Sequence, residues 1–301
     1  MATQLDHIIL LMTPADFKNV PSWLSDNFTI IDGGKHSKGT SQNKLIIFQD
    51  GTYLELFSWV DPKPEGVESY ADFPSWGSKP EGYIIDWALT GPNAHGKYEE
   101  IMAQIRELEA QGEQLGVTYD QPKEGGRRRM DGKELQWYAT RPRQVDTAQS
   151  SSQIDVPFFC HDISDRSLRV PYTAGSTSDW PRIITHPCGA VGVQSVTLTI
   201  PASRLSLCAK LYEGILGVQR EQRLGNEHST VAFAVASPAQ SADKSGKPTC
   251  TVFLTATEQG TTESSTQAGT NIQALTLWTS TQERGGEQLN AEGFGTKITL
   301  R

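Results

Sequence analysis

His7 and Glu55 are the side chains of this 301-residue chain whose settings point first to chemistry. His7 lies near the start of the apolar run Leu5-Asp6-His7-Ile8-Ile9-Leu10-Leu11-Met12, and Glu55 lies inside Thr52-Tyr53-Leu54-Glu55-Leu56-Phe57. Both runs have strand composition. A polar group on a buried strand face needs a hydrogen bond, a counter-charge or a metal. Three chemistries follow: an acid/base pair, part of a metal site, or a mutually satisfied core contact. Without a local ligand spacing, buried His–Glu hydrogen bonding is the commonest of these.

The elements that must position the pair can be read in order. Pro14-Ala15-Asp16-Phe17 opens a short helical pattern through Trp23, Leu24 and Phe28, and a Gly-rich turn spans 32–40. Strands over 44–48 and 53–59 flank Gln49-Asp50-Gly51-Thr52, where Asp-Gly between apolar runs signals a hairpin. Residues 61–81, rich in Pro, Gly and Ser, read as a connecting loop. The pattern restarts with a strand at 83–89 and an amphipathic helix over 97–111. Tyr98, Ile101, Met102, Ile105 and Leu108 recur there at helical spacing, and Gly112 reads as its C-cap. Strands at 135–138 and 156–161 follow, with a polar loop over 144–153 between them. A third start at 193–200 precedes a helix at 203–216 and strands at 230–236, 250–255 and 272–278, the last three separated by polar tracts over 237–248 and 257–270. A strand, a helix and several strands therefore recur about three times, and such modules complete one another's sheets.

Composition excludes several classes. With 27 basic and 35 acidic residues the chain carries a net charge of −8, which opposes non-specific binding to nucleic acid or anionic membranes. The run Arg127-Arg128-Arg129 is too short to reverse this. No apolar run reaches the length of a membrane span, and the N-terminus reads as a strand rather than a signal segment. Cys160, Cys188, Cys208 and Cys250 are widely spaced, so free thiols in a reducing, cytoplasmic compartment are expected. There is no phosphate-loop or dinucleotide signature, so no nucleotide cofactor is expected, and no Gly-x-Ser-x-Gly elbow for serine hydrolysis.

Superposing the three first strands, 5–10 on 84–89 on 193–198, puts His7 over Asp86 and over Ser195. Glu55 falls over Cys160 or His161, depending on register, and a one-residue slip exchanges the two faces of a strand. With His161 inward, His7, Glu55, Asp86 and His161 face one cavity. That donor set suits Zn, Fe, Mn, Ni or Co with positions left for substrate. In the Gly-rich turn, Gly33, Gly34 and Gly39 permit close backbone approach, and His36 and Asn43 are candidates to hydrogen-bond a substrate. Tyr53 and Trp87 are candidate lining residues, with Trp59, Trp76, Trp137 and Tyr138 beside them. Cys160 has no base nearby in sequence and reads as inert. His186-Pro187-Cys188-Gly189 reads as the entry to the third unit.

Taken together, the opening Leu5 to Leu10, the turn Gly33-Gly34-Lys35-His36 with Gly39-Thr40 and Asn43, Asp50 to Leu56, Trp87-Ala88-Leu89, Pro157-Phe158-Phe159 and His186-Pro187 through Val193 resemble the vicinal oxygen chelate superfamily, in particular its glyoxalase-like domain family. The resemblance implies βαβββ modules whose curved sheets enclose a cavity. It also implies metal ligands from the first and last strands of two paired modules, at His7, Glu55, Asp86 and His161. Asp86 stands where that pattern commonly has histidine, and His161 where it has glutamate.

The expected fold is α+β, with repeated βαβββ modules. Residues 1–60 and 82–162 pair as one unit, 163–189 form a linker, and 190–301 a third, degenerate module. The expected function is a divalent-metal-dependent glyoxalase-like enzyme acting on a small or medium substrate with vicinal oxygens, through an enolate or oxyanion. His7, Glu55 and His161 would hold the metal, and Glu55 and Asp86 would act as catalytic carboxylates. The alternatives are a metal-free binding or resistance protein, and a metal-free enzyme using His7 and Glu55 as an acid/base pair. A small molecule is the expected partner, with a homodimer left open.

Overall fold

The computed structural model describes residues 3–71, 73, 76–129, 131–145, 155–224, 229–239, 250–257, 272–290 and 295–301. The first module contains β1 (Gln4–Leu11), α1 (Pro14–Lys18), α2 (Ser22–Ser25), β2 (Ile31–His36), β3 (Ser41–Ile47) and β4 (Tyr53–Trp59). The second contains β5 (Tyr83–Thr90), α3 (Ala94–Ala110), β6 (Val117–Tyr119), β7 (Lys123–Arg128), β8 (Glu134–Thr140), β9 (Pro142–Gln144) and β10 (Phe158–Asp162). Eight strands close into a barrel in the order β1-β4-β3-β2-β7-β8-β10-β5, while β6 and β9 pair separately. The barrel seams are antiparallel pairs, β1 with β5 and β2 with β7.

β1 is buried on both faces, and its side chains alternate as a strand's must. Ile9 and Leu11 join the barrel interior with Phe57, Ile85, Ala88, Phe158 and Cys160. Leu5, Ile8 and Leu10 pack outward into a larger core with Ile101, Ile105 and Leu108 of α3. The Asp-Gly hairpin forms between β3 and β4, with Gly51 at φ 80°.

Two expectations for the loops are corrected. The Gly-rich turn begins as a strand, because residues 31–36 are captured between β3 and β7, and only 37–40 turn. Segment 61–81 is more than a connector: Tyr70, Phe73 and Trp76 pack into the barrel interior. The polar tracts over 144–153, 237–248 and 257–270 lie almost wholly outside the described residues.

Segment 163–189 carries α4 (Arg166–Arg169) and α5 (Trp180–Ile183). The remainder forms β11 (Ala190–Pro201), α6 (Leu205–Leu216), β12 (Glu221–Leu224), β13 (Ser229–Val235), β14 (Cys250–Thr257), β15 (Ile272–Thr279) and β16 (Lys297–Leu300). These strands make one open sheet, β12-β13-β14-β11-β15-β16. Its order repeats β2-β3-β4-β1-β5-β10 of the barrel, without counterparts of β7 and β8 among the described residues. The tail therefore holds a complete third βαβββ module plus the first and last strands of a fourth. Helix α6 buries Cys208, Leu211, Tyr212 and Ile215 in the same core as α3, so the helices lie between barrel and sheet. Gly217, in left-handed conformation, ends α6. No helix among the described residues is long and apolar enough to cross a membrane, and all four cysteines are free and buried.

Candidate active site

A cavity of about 940 Å³ occupies the barrel, in the size range of small-molecule sites. His7, His36, Asn43, Tyr53, Glu55 and Phe57 of the first module line it, with Asp86, Arg127, Trp137, Arg141, Phe158 and Cys160 of the second. Arg169, from the segment expected to be a linker, reaches it as well.

Glu55 is the centre of the polar cluster. Its Oε2 lies 3.3 Å from His7 Nε2, and its Oε1 accepts a hydrogen bond from Asn43 Nδ2 at 2.8 Å. His36 Nε2 stands 3.7 Å from the same Oε1, with its Nδ1 2.9 Å from Ser41 Oγ. Burial pushes the His36 imidazole below its usual range despite the opposing pull of Glu55. Behind His7, Asp6 Oδ2 lies 2.7 Å from Nδ1. Burial alone would raise the Asp6 carboxyl, but Arg169 and Arg166 outweigh it and hold it well below the usual range. An ionised Asp6 can only accept, so His7 Nδ1 carries a hydrogen and donates to it. His7 Nε2 is then the ring nitrogen left to face Glu55 Oε2. Tyr53 stacks on the His7 ring at 4.6 Å and 15°, and Phe158 meets it edge-on at 5.5 Å.

Gly33 makes room for this arrangement. A Cβ there would stand 1.9 Å from Asn43 Oδ1, so only glycine lets Asn43 lie against β2 and reach Glu55. Gly33→Ala is expected to displace Asn43 and cost about 1–2 kcal/mol through overpacking. Urea denaturation of the two proteins measures the loss, and equal midpoints would refute it.

Strand pairing decides which residues of the modules correspond. In the parallel first-to-last strand pairs, His7 stands opposite Tyr53, Ala88 opposite Phe158, and Ser195 opposite Thr251. Two residues further along each last strand come Glu55, Cys160 and Phe253. Ala88 and Cys160 are thus the second module's counterparts of His7 and Glu55, and Ser195 and Phe253 the third's. Of these three modules, only the first places ionisable groups suited to acid/base work there.

Two expected residues are therefore misplaced. His161 is on the opposite face from Cys160: its Nδ1 bonds Gly91 O at 2.8 Å, its ring stacks on Phe159, and it borders a separate cavity beside α3. A one-residue register difference is the reason. Asp86 does line the barrel cavity, but it is not the counterpart of His7: strand pairing gives that position to Ala88, two residues further along β5. Its Oδ2 accepts from Trp76 Nε1 at 2.8 Å and its Oδ1 from Trp87 N at 2.8 Å. Trp87 borders the cavity, yet its ring stacks on Tyr212 of α6. Sequence reasoning missed Asp6, Arg141 and Arg169 as parts of the site. Only Asp6 left a signal, a carboxylate adjacent to His7 in an apolar strand. Cys160 faces inward, but burial raises its thiol, which leaves it inert.

The donors test poorly as a metal centre. The set His7, Glu55, His161 is split between two faces of the barrel wall. No other three His, Cys, Asp or Glu side chains among the described residues are arranged to hold an ion.

Burial pushes the Asp86 carboxyl up to about 6, against the Trp76 indole and Arg141, which favour its charged form. The folded protein therefore binds this proton more tightly than the unfolded chain, and Asp86 removes stability as pH rises from about 4 through 6. In wild type, His36, His161 and His186, all lowered by burial, act in the opposite sense. Those histidines are common to Asp86→Asn, so the variant is expected to gain about 2 kcal/mol relative to wild type between pH 4.5 and 7.5. Parallel stability curves in urea would contradict the shift.

Comparison with known proteins agrees with the architecture. A family model described as a glyoxalase-like domain matches residues 5–216. No curated protein matches the chain. A hypothetical protein from Staphylococcus aureus, known from its crystal structure, is 13% identical, with 99% of each chain covered and a TM-score of 0.60. The 2,2',3-trihydroxybiphenyl 1,2-dioxygenase of Sphingomonas wittichii strain RW1 is 9% identical, with 100% of this chain and 90% of that one covered and a TM-score of 0.46. Glyoxalase I from Zea mays is 12% identical, with 99% and 92% covered and a TM-score of 0.32. The family match spans more than two thirds of the chain and runs through both modules that build the barrel. On that match, this chain belongs to the glyoxalase-like domain family.

Proposed function

We propose that the barrel cavity is the active site of an enzyme that moves a proton on a small organic molecule bearing vicinal oxygens, with Glu55 and His7 as its acid/base pair. The observation that carries this reading is the 3.3 Å approach of His7 Nε2 to Glu55 Oε2, backed by the ionised Asp6. A histidine and a carboxylate at that distance can take a proton from a substrate and return it with little reorganisation. Glu55 accepts the proton from a carbon next to a carbonyl. Asn43 keeps its carboxylate turned into the cavity, and Asp6 holds His7 with Nε2 forward. The electron pair left behind moves onto the carbonyl oxygen, and the aromatic walls keep water from that oxyanion. Return of the proton to the neighbouring carbon or to the oxygen completes an isomerisation. No step is routed through a metal, since the donors present do not form a cage for one.

Solvent exchange tests this without knowledge of the natural substrate. Aliphatic and aromatic α-hydroxy ketones and 2-oxo acids are incubated in D2O with chelator-treated protein, and loss of the C–H signal is followed by NMR. Catalysed exchange that persists after chelation is the expected result. Exchange that vanishes on chelation and returns with Fe, Mn, Ni, Co or Zn would overturn the metal-independent part. Absence of exchange in every case, with ligands still bound, would turn the reading to sequestration.

A further inference from the structure

Arg141 is the charged group of the cavity that the acid/base pair leaves unexplained. It joins β8 to β9, and its guanidinium lies 4.3 Å from the Trp76 ring centroid and 4.6 Å from that of Phe158. The other arginines of the cavity are already engaged. Arg169 binds Asp6 and Asp162, with Arg166 behind it on the same carboxylates, and Arg127 donates to Gly33 O. Arg141 has no hydrogen-bond acceptor and no carboxylate within salt-bridge distance among the described residues. Asp86 influences it from further away, and both Asp86 oxygens already accept from tryptophan N–H groups.

Arg141 is half-buried, and a charge drawn away from bulk water without a partner is costly. Stacking on two rings offsets part of that cost, and it leaves the in-plane N–H donors of the guanidinium unused. Those donors form a fork that matches two carboxylate oxygens. Around it the cavity wall is aromatic: Phe57, Trp59, Phe73 and Trp137 stand with Trp76 and Phe158.

We propose that Arg141 is the anchor for a carboxylate, and that the cavity selects planar organic anions whose flat part lies against the aromatic wall while the carboxylate pairs with the guanidinium. The proposal rests on the barrel cavity being the substrate site, and it names the class of molecule that site takes. The protein's overall charge of −8 opposes anions at long range, so selection comes from this local cation rather than from general attraction.

The test compares 2-naphthoate with 2-naphthamide, two probes of one shape that differ in charge. Binding is read by calorimetry and by quenching of the cavity tryptophans, in wild type, Arg141→Met, Arg141→Lys and Glu55→Gln. Wild type is expected to bind the acid at least tenfold more tightly than the amide. Arg141→Met should lose at least tenfold for the acid and leave the amide unchanged, while Arg141→Lys retains part of the preference. Glu55→Gln keeps the preference, because Glu55 moves the proton and does not hold the carboxylate. Equal binding of acid and amide by wild type, or no binding of either at millimolar concentration, overturns the proposal even if Arg141→Met does not fold. Charge preference present without proton exchange would sink the acid/base reading alone, and exchange without charge preference would sink this one alone.

Discussion

Arg169→Ala is expected to lose about 3–5 kcal/mol of stability, the cost of stranding a buried charge. Arg169 is 4% exposed, and its guanidinium uses every edge. Nε and Nη2 donate to Asp162 at 2.6 and 2.8 Å, Nη1 and Nη2 to Asp6 at 2.8 and 3.1 Å, and Nη1 also to the Tyr53 hydroxyl at 2.8 Å. Asp6 is fully buried, and Arg166, at 2.6 Å from its Oδ1, would be its one remaining cationic partner besides His7. The change therefore removes one side of a bidentate pair from a site that water does not reach. Urea denaturation should show a lower midpoint with an unchanged slope. A loss below about 1 kcal/mol would mean that the network is solvated in solution and does not fix His7.

Glu55→Gln is expected to slow catalysed proton exchange by a factor of about 10²–10⁴, the usual worth of a positioned general base. The amide keeps the volume of the side chain, and its carbonyl oxygen still accepts from Asn43, so the cavity should keep its shape. What it loses is the capacity to accept a proton beside His7. The result to look for is a fall in exchange rate with ligand affinity unchanged, the signature of an interaction made only in the transition state. An equal exchange rate in the variant would remove Glu55 from the mechanism and leave His7 or His36 as the base.

The interior arginines also show why a negatively charged chain can hold a cationic site. Arg166 and Arg169 are neutralised by Asp6 and Asp162 and serve to position His7, whereas Arg141 stays free to meet a ligand. Charge composition describes the surface, and it says little about a cavity closed by eight strands.

By itself the sequence determined the local elements and the inner face of the first module. Asp50-Gly51 dictates the β3–β4 hairpin, and alternation along β1 puts His7 on the same face as Ile9 and Leu11. The repeated strand–helix–strand pattern signals modules that complete one another's sheets. Those signals are local, with periods of two and of three to four residues, so they survive without knowledge of neighbours. Register was decided only by the tertiary structure. Strand pairing brings Ala88, not Asp86, opposite His7, and one residue along β10 exchanges His161 for Cys160 in the cavity. No periodicity reports which residues stand opposite one another, since that depends on the pairing partner. The same holds for Arg141 and Arg169. Each comes from a segment without strand or helix patterning of its own, and each enters the site because barrel closure leaves a polar and aromatic gap that only a distant part of the chain can fill.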